Sequence, residues 1–116
     1  MKVLVIGCGS IGRRHAANAT ALASAAVVDS DAQAARALAA QTGARAFDRL
    51  EDAFAWGPGA VVVATPHRSH LELAGRALAA GAHVLVEKPL SHAMDGVDAF
   101  LDAESKSGRR AYVVCN

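Results

Sequence analysis

The sequence predicts an open, doubly wound α/β domain built on a parallel sheet. Three observations carry that prediction. Short, continuously apolar runs recur along the chain, as at Val3–Ile6 and Ala60–Ala64, and such runs suit strands buried on both faces of a parallel sheet. Alanine-rich segments of helical periodicity separate them, so strand and helix alternate throughout. The first apolar run ends on Gly7-Cys8-Gly9-Ser10-Ile11-Gly12, and a helical pattern starts at once.

That glycine segment organises the rest of the chain. Each glycine matches a physical role in the dinucleotide fingerprint. Gly7 permits a tight turn, Gly9 lets the backbone approach a pyrophosphate, and Gly12 lets the helix pack closely on its strand. The free N–H groups at the helix start, aided by the helix dipole, suit negative charge. The pattern alone is weak evidence, since it also describes a tight turn with no ligand. Its position between a strand and a helix raises its weight.

The elements follow in order. A helix over about Ile11–Ala23 is rich in alanine, which favours helix and close packing on a sheet. A second strand, Ala25–Val28, ends at Asp29. Ser30 with Gln33 reads as a capping box for the next helix, which Gly43 stops. A short strand covers Arg45–Phe47, and Asp48 with Glu51 repeats the capping pattern for a short helix that Gly57-Pro58-Gly59 terminates. The strand Ala60–Ala64 leads into the loop Thr65-Pro66-His67-Arg68. Ser69 caps a helix reaching Ala80, with Leu71, Ala74 and Leu78 inward and Glu72–Arg76 as an exposed pair. Gly81 ends it. The strand His83–Val86 runs into Glu87-Lys88-Pro89, Ser91 opens a last helix that Gly108 ends, and Ala111–Cys115 is the sixth strand.

Composition narrows the function. A chain of 116 residues is read as one domain, 1–116, with no internal repeat. Its formal charge of +1 is interspersed, and Arg13-Arg14 and Arg109-Arg110 fall far short of a basic tract, so neither nucleic acid nor an anionic membrane is expected as a partner. No stretch reads as a signal peptide or a membrane span. Cys8 and Cys115 have no metal spacing and read as free thiols of a reducing compartment, with a cytoplasmic location expected. No metal site is predicted.

The polar residues fall at the carboxyl ends of the predicted strands, where ligands of open α/β sheets bind. Asp29, about 20 residues past the first glycine, is placed to accept hydrogen bonds from an adenosine ribose. Its neighbours Ser30 and Asp31 offer no cation to a 2′-phosphate, which favours NAD over NADP, although Arg13 or Arg14 would readmit NADP by reaching the ribose. Lys88 is the one candidate for chemistry, since an ammonium at the sheet edge can polarise or protonate a substrate oxygen during hydride transfer. Without its flanking motif, a surface lysine paired with Glu87 is the plainer reading.

The glycine loop, Ala64-Thr65-Pro66 with His70 four residues on, and Gly81-Ala82-His83-Val84-Leu85-Val86-Glu87-Lys88-Pro89-Leu90 occur in that order. Together they resemble the N-terminal half of the glucose–fructose oxidoreductase and inositol dehydrogenase family (Gfo/Idh/MocA), and the resemblance covers the whole chain. It implies a Rossmann fold and an NAD- or NADP-dependent oxidoreductase of sugars, cyclitols and related secondary alcohols. It further implies that Gly7, Gly9, Ser10, Ile11 and Gly12 hold the pyrophosphate and Asp29 the ribose. Thr65, Pro66, Glu87 and Lys88 line the nicotinamide end, with Lys88 catalytic. His67 stands where relatives often carry asparagine, and His15 and His70 read as structural. The family continues into a second α/β domain with the substrate pocket and often the oligomer interface, so a homo-oligomeric parent enzyme is implied. That domain is not within these residues. The expectation is an isolated, catalytically silent cofactor domain, whether a shortened form, a proteolytic remnant or a naturally short protein. A stand-alone dinucleotide-binding or sensing module is the alternative; the Glu87-Lys88-Pro89 segment speaks for the enzyme.

Overall fold

The computed structural model describes residues 2–65, 70–87 and 111–114. The elements are β1 (Lys2–Ile6), α1 (Ser10–Leu22), β2 (Ser24–Val28), α2 (Ala32–Thr42) and β3 (Arg45–Phe47). Then come α3 (Leu50–Ala55), β4 (Ala60–Val63), α4 (His70–Ala79), β5 (His83–Glu87) and β6 (Ala111–Val114). The predicted helix after Ser91, the Ser69 cap and Cys115 lie outside the described residues.

The strands form one sheet in the order β3-β2-β1-β4-β5-β6, and every neighbouring pair is parallel. The chain steps outward from β1 to β3, then crosses back to β4 and steps outward the other way. β1 and β4 therefore flank the point where the strand order reverses. In the register, Ile6 lies opposite both Val28 and Val63, and Val63 opposite Val86. Four strands thus end nearly flush, and whatever follows them shares one edge.

The apolar runs are buried on both faces, with period two. Leu4, Ile6, Ala26, Val28, Val61 and Val63 pack on one side with Ala53 of α3 and Ala74, Ala77 and Leu78 of α4. Val5, Val27 and Val62 pack on the other with Ala16 of α1 and Ala35 and Leu38 of α2. Helices on both faces make the sheet doubly wound. Leu4, Val5, Val27, Val61, Val63 and Val84 are fully buried, each contributing about 1.5–3 kcal/mol over exposure. Alanine recurs on the inner faces of α1, α2 and α4, where a small side chain lets a helix axis approach the sheet. Gly43, Gly57 and Gly81 adopt left-handed φ values of 84°, 82° and 89°, ending the helices where the sequence places those stops.

The capping expectations need correcting. Asp31, not Ser30, is the N-cap of α2: its Oδ1 accepts from the N–H groups of Gln33 and Ala34 at 3.0 and 3.3 Å. The helix starts one residue later than the Ser30–Gln33 spacing requires, and Ser30 donates its hydroxyl to Asp29 instead. Arg49 precedes α3 with no side-chain cap. Asp48 is engaged by Arg36 at 3.2 Å, and Glu51 lies 3.8 Å from Arg49. On α4, Arg76 sets its guanidinium over the Phe54 ring at 5.5 Å rather than pairing with Glu72. Covering an aromatic face retains its charge and also buries apolar stem.

Candidate functional site

The flush carboxyl edge gathers the glycine loop after β1, Asp29 after β2 and Thr65 after β4, with Glu87 as the last residue of β5. Pro66, His67 and Lys88 lie outside the described residues. So do the side chains of Ser10, Ile11, His70 and Glu87.

Three glycines of the loop differ sharply in their surroundings. Gly7 has φ +103°, and a Cβ there would come within 2.6 Å of the Ala64 carbonyl oxygen and 3.1 Å of the Thr65 nitrogen. The turn therefore requires glycine twice over, by dihedral and by the closeness of the β4 end. A Cβ on Gly12 would collide with the Gly7 carbonyl, whose carbon stands at 2.8 Å; helix α1 rests on the loop itself. At Gly9 a Cβ would meet nothing within 4 Å. Packing does not account for glycine at that position.

The N–H groups can be followed one by one. Gly7 donates to the Val28 carbonyl at 2.9 Å, and Cys8 donates to Asp29 Oδ2 at 2.7 Å. The first intrahelical bond of α1 runs from Arg13 N–H to the Gly9 carbonyl. Helix geometry consequently leaves the N–H groups of Ser10, Ile11 and Gly12 without intrahelical acceptors. Gly9 supplies no side-chain cap, and no acid sits in the first turn. The start of α2, by contrast, is occupied by the Asp31 carboxylate. Of these two helix starts, that of α1 carries no acid, and that of α2 is filled by a carboxylate that would repel an anion.

Asp29 is half-buried. Its Oδ2 accepts from Cys8 and its Oδ1 from the Asp31 N–H at 2.9 Å, with the Ser30 hydroxyl at 3.4 Å. The role of the Cys8 N–H was not legible in the sequence, where Cys8 is merely a spacer between glycines. The Cys8 thiol is buried, 3.9 Å from the Val28 carbonyl. Burial foremost, then the Asp29 and Asp31 charges, push it up to about 11. At neutral pH it is a protonated packing group. Among the described residues no cluster of three or more acids, histidines or cysteines is arranged to hold a metal. No described helix is long and apolar enough to cross a membrane.

A strand–glycine turn–helix unit at the reversal point of a parallel sheet, with an acid ending the adjacent strand, defines a dinucleotide-binding Rossmann domain. The profile of the Gfo/Idh/MocA family, an oxidoreductase family with an NAD-binding Rossmann fold, matches residues 1–115. The chain belongs to that family, as the NAD-binding domain. It is 44% identical over 96 residues to the inositol 2-dehydrogenase of Leifsonia xyli, an alignment spanning 78% of this chain and 28% of that enzyme. Among solved structures, UDP-N-acetylglucosamine 3-dehydrogenase GnnA from Acidithiobacillus ferrooxidans superposes with a TM-score of 0.91 and 32% identity. The match takes in 97% of this chain and 36% of GnnA. GenD2 from gentamicin A biosynthesis, solved in complex with NAD, superposes with a TM-score of 0.87 and 35% identity, over 97% of this chain and 34% of its own. The chain thus spans about a third of the length of these relatives.

Proposed function

We propose that this chain, residues 1–116, is the cofactor domain of an NAD-dependent dehydrogenase that oxidises a secondary alcohol of a sugar, cyclitol or sugar nucleotide. The observation that carries the reading is the α1 start: donors without intrahelical acceptors and no acid in the first turn, beside a glycine with open surroundings. In this assignment the N–H groups of Ser10, Ile11 and Gly12 take the pyrophosphate, since those of Gly7 and Cys8 are already committed to β2 and Asp29. Gly9 gives the cofactor room, and Asp29 takes the adenosine ribose. Thr65 and Pro66 after β4, Glu87 at the end of β5 and Lys88 following it flank the nicotinamide end.

Bound NAD would supply the hydride acceptor for the alcohol carbon. The chain's part would be to hold the nicotinamide beside the ends of β4 and β5, and Lys88 is assigned to the alcohol oxygen: as the neutral amine it would take up the hydroxyl proton as the carbonyl forms, and as the ammonium it would return it in the reverse direction. The relatives whose names specify inositol and UDP-N-acetylglucosamine support the substrate class. The remaining two thirds of such an enzyme would position that substrate and provide the contacts of a homo-oligomer. A small molecule is the expected partner, and the cytoplasm, where NAD is abundant, the place of work.

Asp29 and Asp31 set two carboxylates just past the end of β2, and a 2′-phosphate held beside them would be repelled, so NAD is preferred to NADP. Calorimetric titration of the chain with both cofactors tests the domain assignment. Saturable NAD binding that disappears in Gly9→Val is expected; equal NAD affinity in that variant refutes it. In the full-length dehydrogenase, NADH formation with inositols and nucleotide sugars should require Lys88 and vanish in Lys88→Ala.

A further inference from the structure

Asp29 is committed before any cofactor arrives. A carboxylate offers about four acceptor sites. Here one is taken by the Cys8 N–H at 2.7 Å, a second by the Asp31 N–H at 2.9 Å and a third, at the long distance of 3.4 Å, by the Ser30 hydroxyl. The bond to Cys8 is the shortest of the three, within the range of charge-assisted bonds, and it spans 21 residues from one strand end to the next turn. Together with the Gly7 N–H on the Val28 carbonyl, it fastens two successive residues of the glycine loop to the end of β2. The next N–H groups along the chain are those assigned to the pyrophosphate.

We propose that Asp29 is a positioning residue for the glycine loop as well as a ribose contact: its carboxylate fixes the Cys8 amide and so holds residues 9–12 in the shape that receives the pyrophosphate. Its remaining acceptor site, and the one that Ser30 holds only weakly, are left for ribose hydroxyls. The two tasks do not compete, because they use different lone pairs. The inference rests on the pyrophosphate assignment above, and it adds a consequence which that assignment lacks. If the unfastened loop holds the receptive shape only a tenth of the time, apparent affinity falls about tenfold even for a ligand that never touches Asp29.

That separation is measurable with two cofactors and three proteins. NAD and its analogue lacking both hydroxyls of the adenosine ribose (the 2′,3′-dideoxy form) are titrated into the unaltered chain, Asp29→Ala and Asp29→Asn. The analogue removes the ribose contact, so a residue that only touches ribose would show no further loss with it. The expected result is that the analogue still binds Asp29→Ala about tenfold more weakly than the unaltered chain. Asn keeps the side-chain volume but has only one oxygen for two N–H groups, so Asp29→Asn should lose affinity in the same direction while retaining the fold.

Amide hydrogen exchange without ligand reads the brace directly. Exchange at Cys8 should accelerate at least about tenfold in both variants, the equivalent of one hydrogen bond to a charged acceptor, while the amides of β1 keep their protection. Acceleration spread evenly over the sheet would indicate general destabilisation and overturn the proposal. So would unchanged Cys8 exchange, or an analogue affinity indifferent to Asp29. Failure of the unaltered chain to bind NAD would overturn the pyrophosphate assignment and the cofactor half of this inference with it, whereas the exchange data would still decide for or against the brace.

Discussion

Gly7 and Gly9 stand two residues apart in one motif, yet the structure predicts opposite consequences for replacing them. Gly7→Ala forces an L-residue to φ +103° and drives its Cβ within 2.6 Å of the Ala64 carbonyl oxygen. A left-handed φ costs about 1–2 kcal/mol, and overpacking against backbone that cannot step aside costs about 1–3 kcal/mol. The sum is about 2–5 kcal/mol. For a domain of this length each kcal/mol moves the melting temperature by roughly 4 °C, so Gly7→Ala should melt about 8–20 °C below the unaltered chain. Gly9 sits at φ −74° and ψ −167°, extended backbone that any residue adopts, with nothing near its Cβ. Gly9→Ala should stabilise by about 0.4–1 kcal/mol through a less disordered unfolded chain. Gly9→Val should fold normally and lose NAD affinity by more than tenfold, roughly the 1.4 kcal/mol that a misfitted contact costs at least. Scanning calorimetry gives the melting temperatures, and titration calorimetry gives the affinities. The reasoning is refuted if Gly7→Ala melts with the unaltered chain, or if Gly9→Val unfolds early while the folded remainder binds NAD as before.

Cofactor choice is a second expectation: NAD and NADH should bind more tightly than their phosphorylated forms, and Asp29→Ala should narrow the gap by removing a repulsive carboxylate together with a ribose contact. Equal or tighter NADP binding by the unaltered chain would show that Asp29 does not meet the ribose. Asp31→Ala removes the α2 cap and should cost about 1 kcal/mol, seen as a melting temperature lower by roughly 4 °C; an unchanged melting temperature would deny the cap. In a Cys115→Ser background, Cys8 should react sluggishly with a disulfide reagent. With its pKa pushed up to about 11 from 9.0, the thiolate at pH 8 is about a hundredfold scarcer than in an ordinary cysteine, before any steric protection. Folding keeps the proton on this thiol, so its contribution to stability is complete below pH 9.0 and is lost as pH rises towards about 11. A steeper alkaline loss of stability in the unaltered chain than in Cys8→Ala would agree, and parallel profiles would not.

What was legible in the sequence divides along a physical line. The sheet announced itself because burial on both faces leaves no polar position within Leu4–Ile6 or Val61–Val63, and a short apolar run without alternation suits little but a strand of this kind. The turn at Gly7 and the close packing at Gly12 were legible for the same reason, since a forbidden dihedral or a missing Cβ excludes every other side chain at once. Helix caps were less legible. Ser30 and Asp31 are both good caps by chemistry, and the choice depends on a one-residue difference in where α2 begins. Asp48 and Glu51 matched a capping box, but Arg36 reaches Asp48 only in the folded chain, and Arg49 stands in the cap position itself. The bond from Cys8 to Asp29 was least legible, because its donor is a backbone amide, common to every residue but proline, and the sequence carries no mark of where an amide points. The side chain named in a fingerprint can be right while half its work goes to a backbone group the pattern does not contain. In this loop the N–H groups proposed for the cofactor emerge only after the groups already spoken for, Gly7 by Val28 and Cys8 by Asp29, have been subtracted.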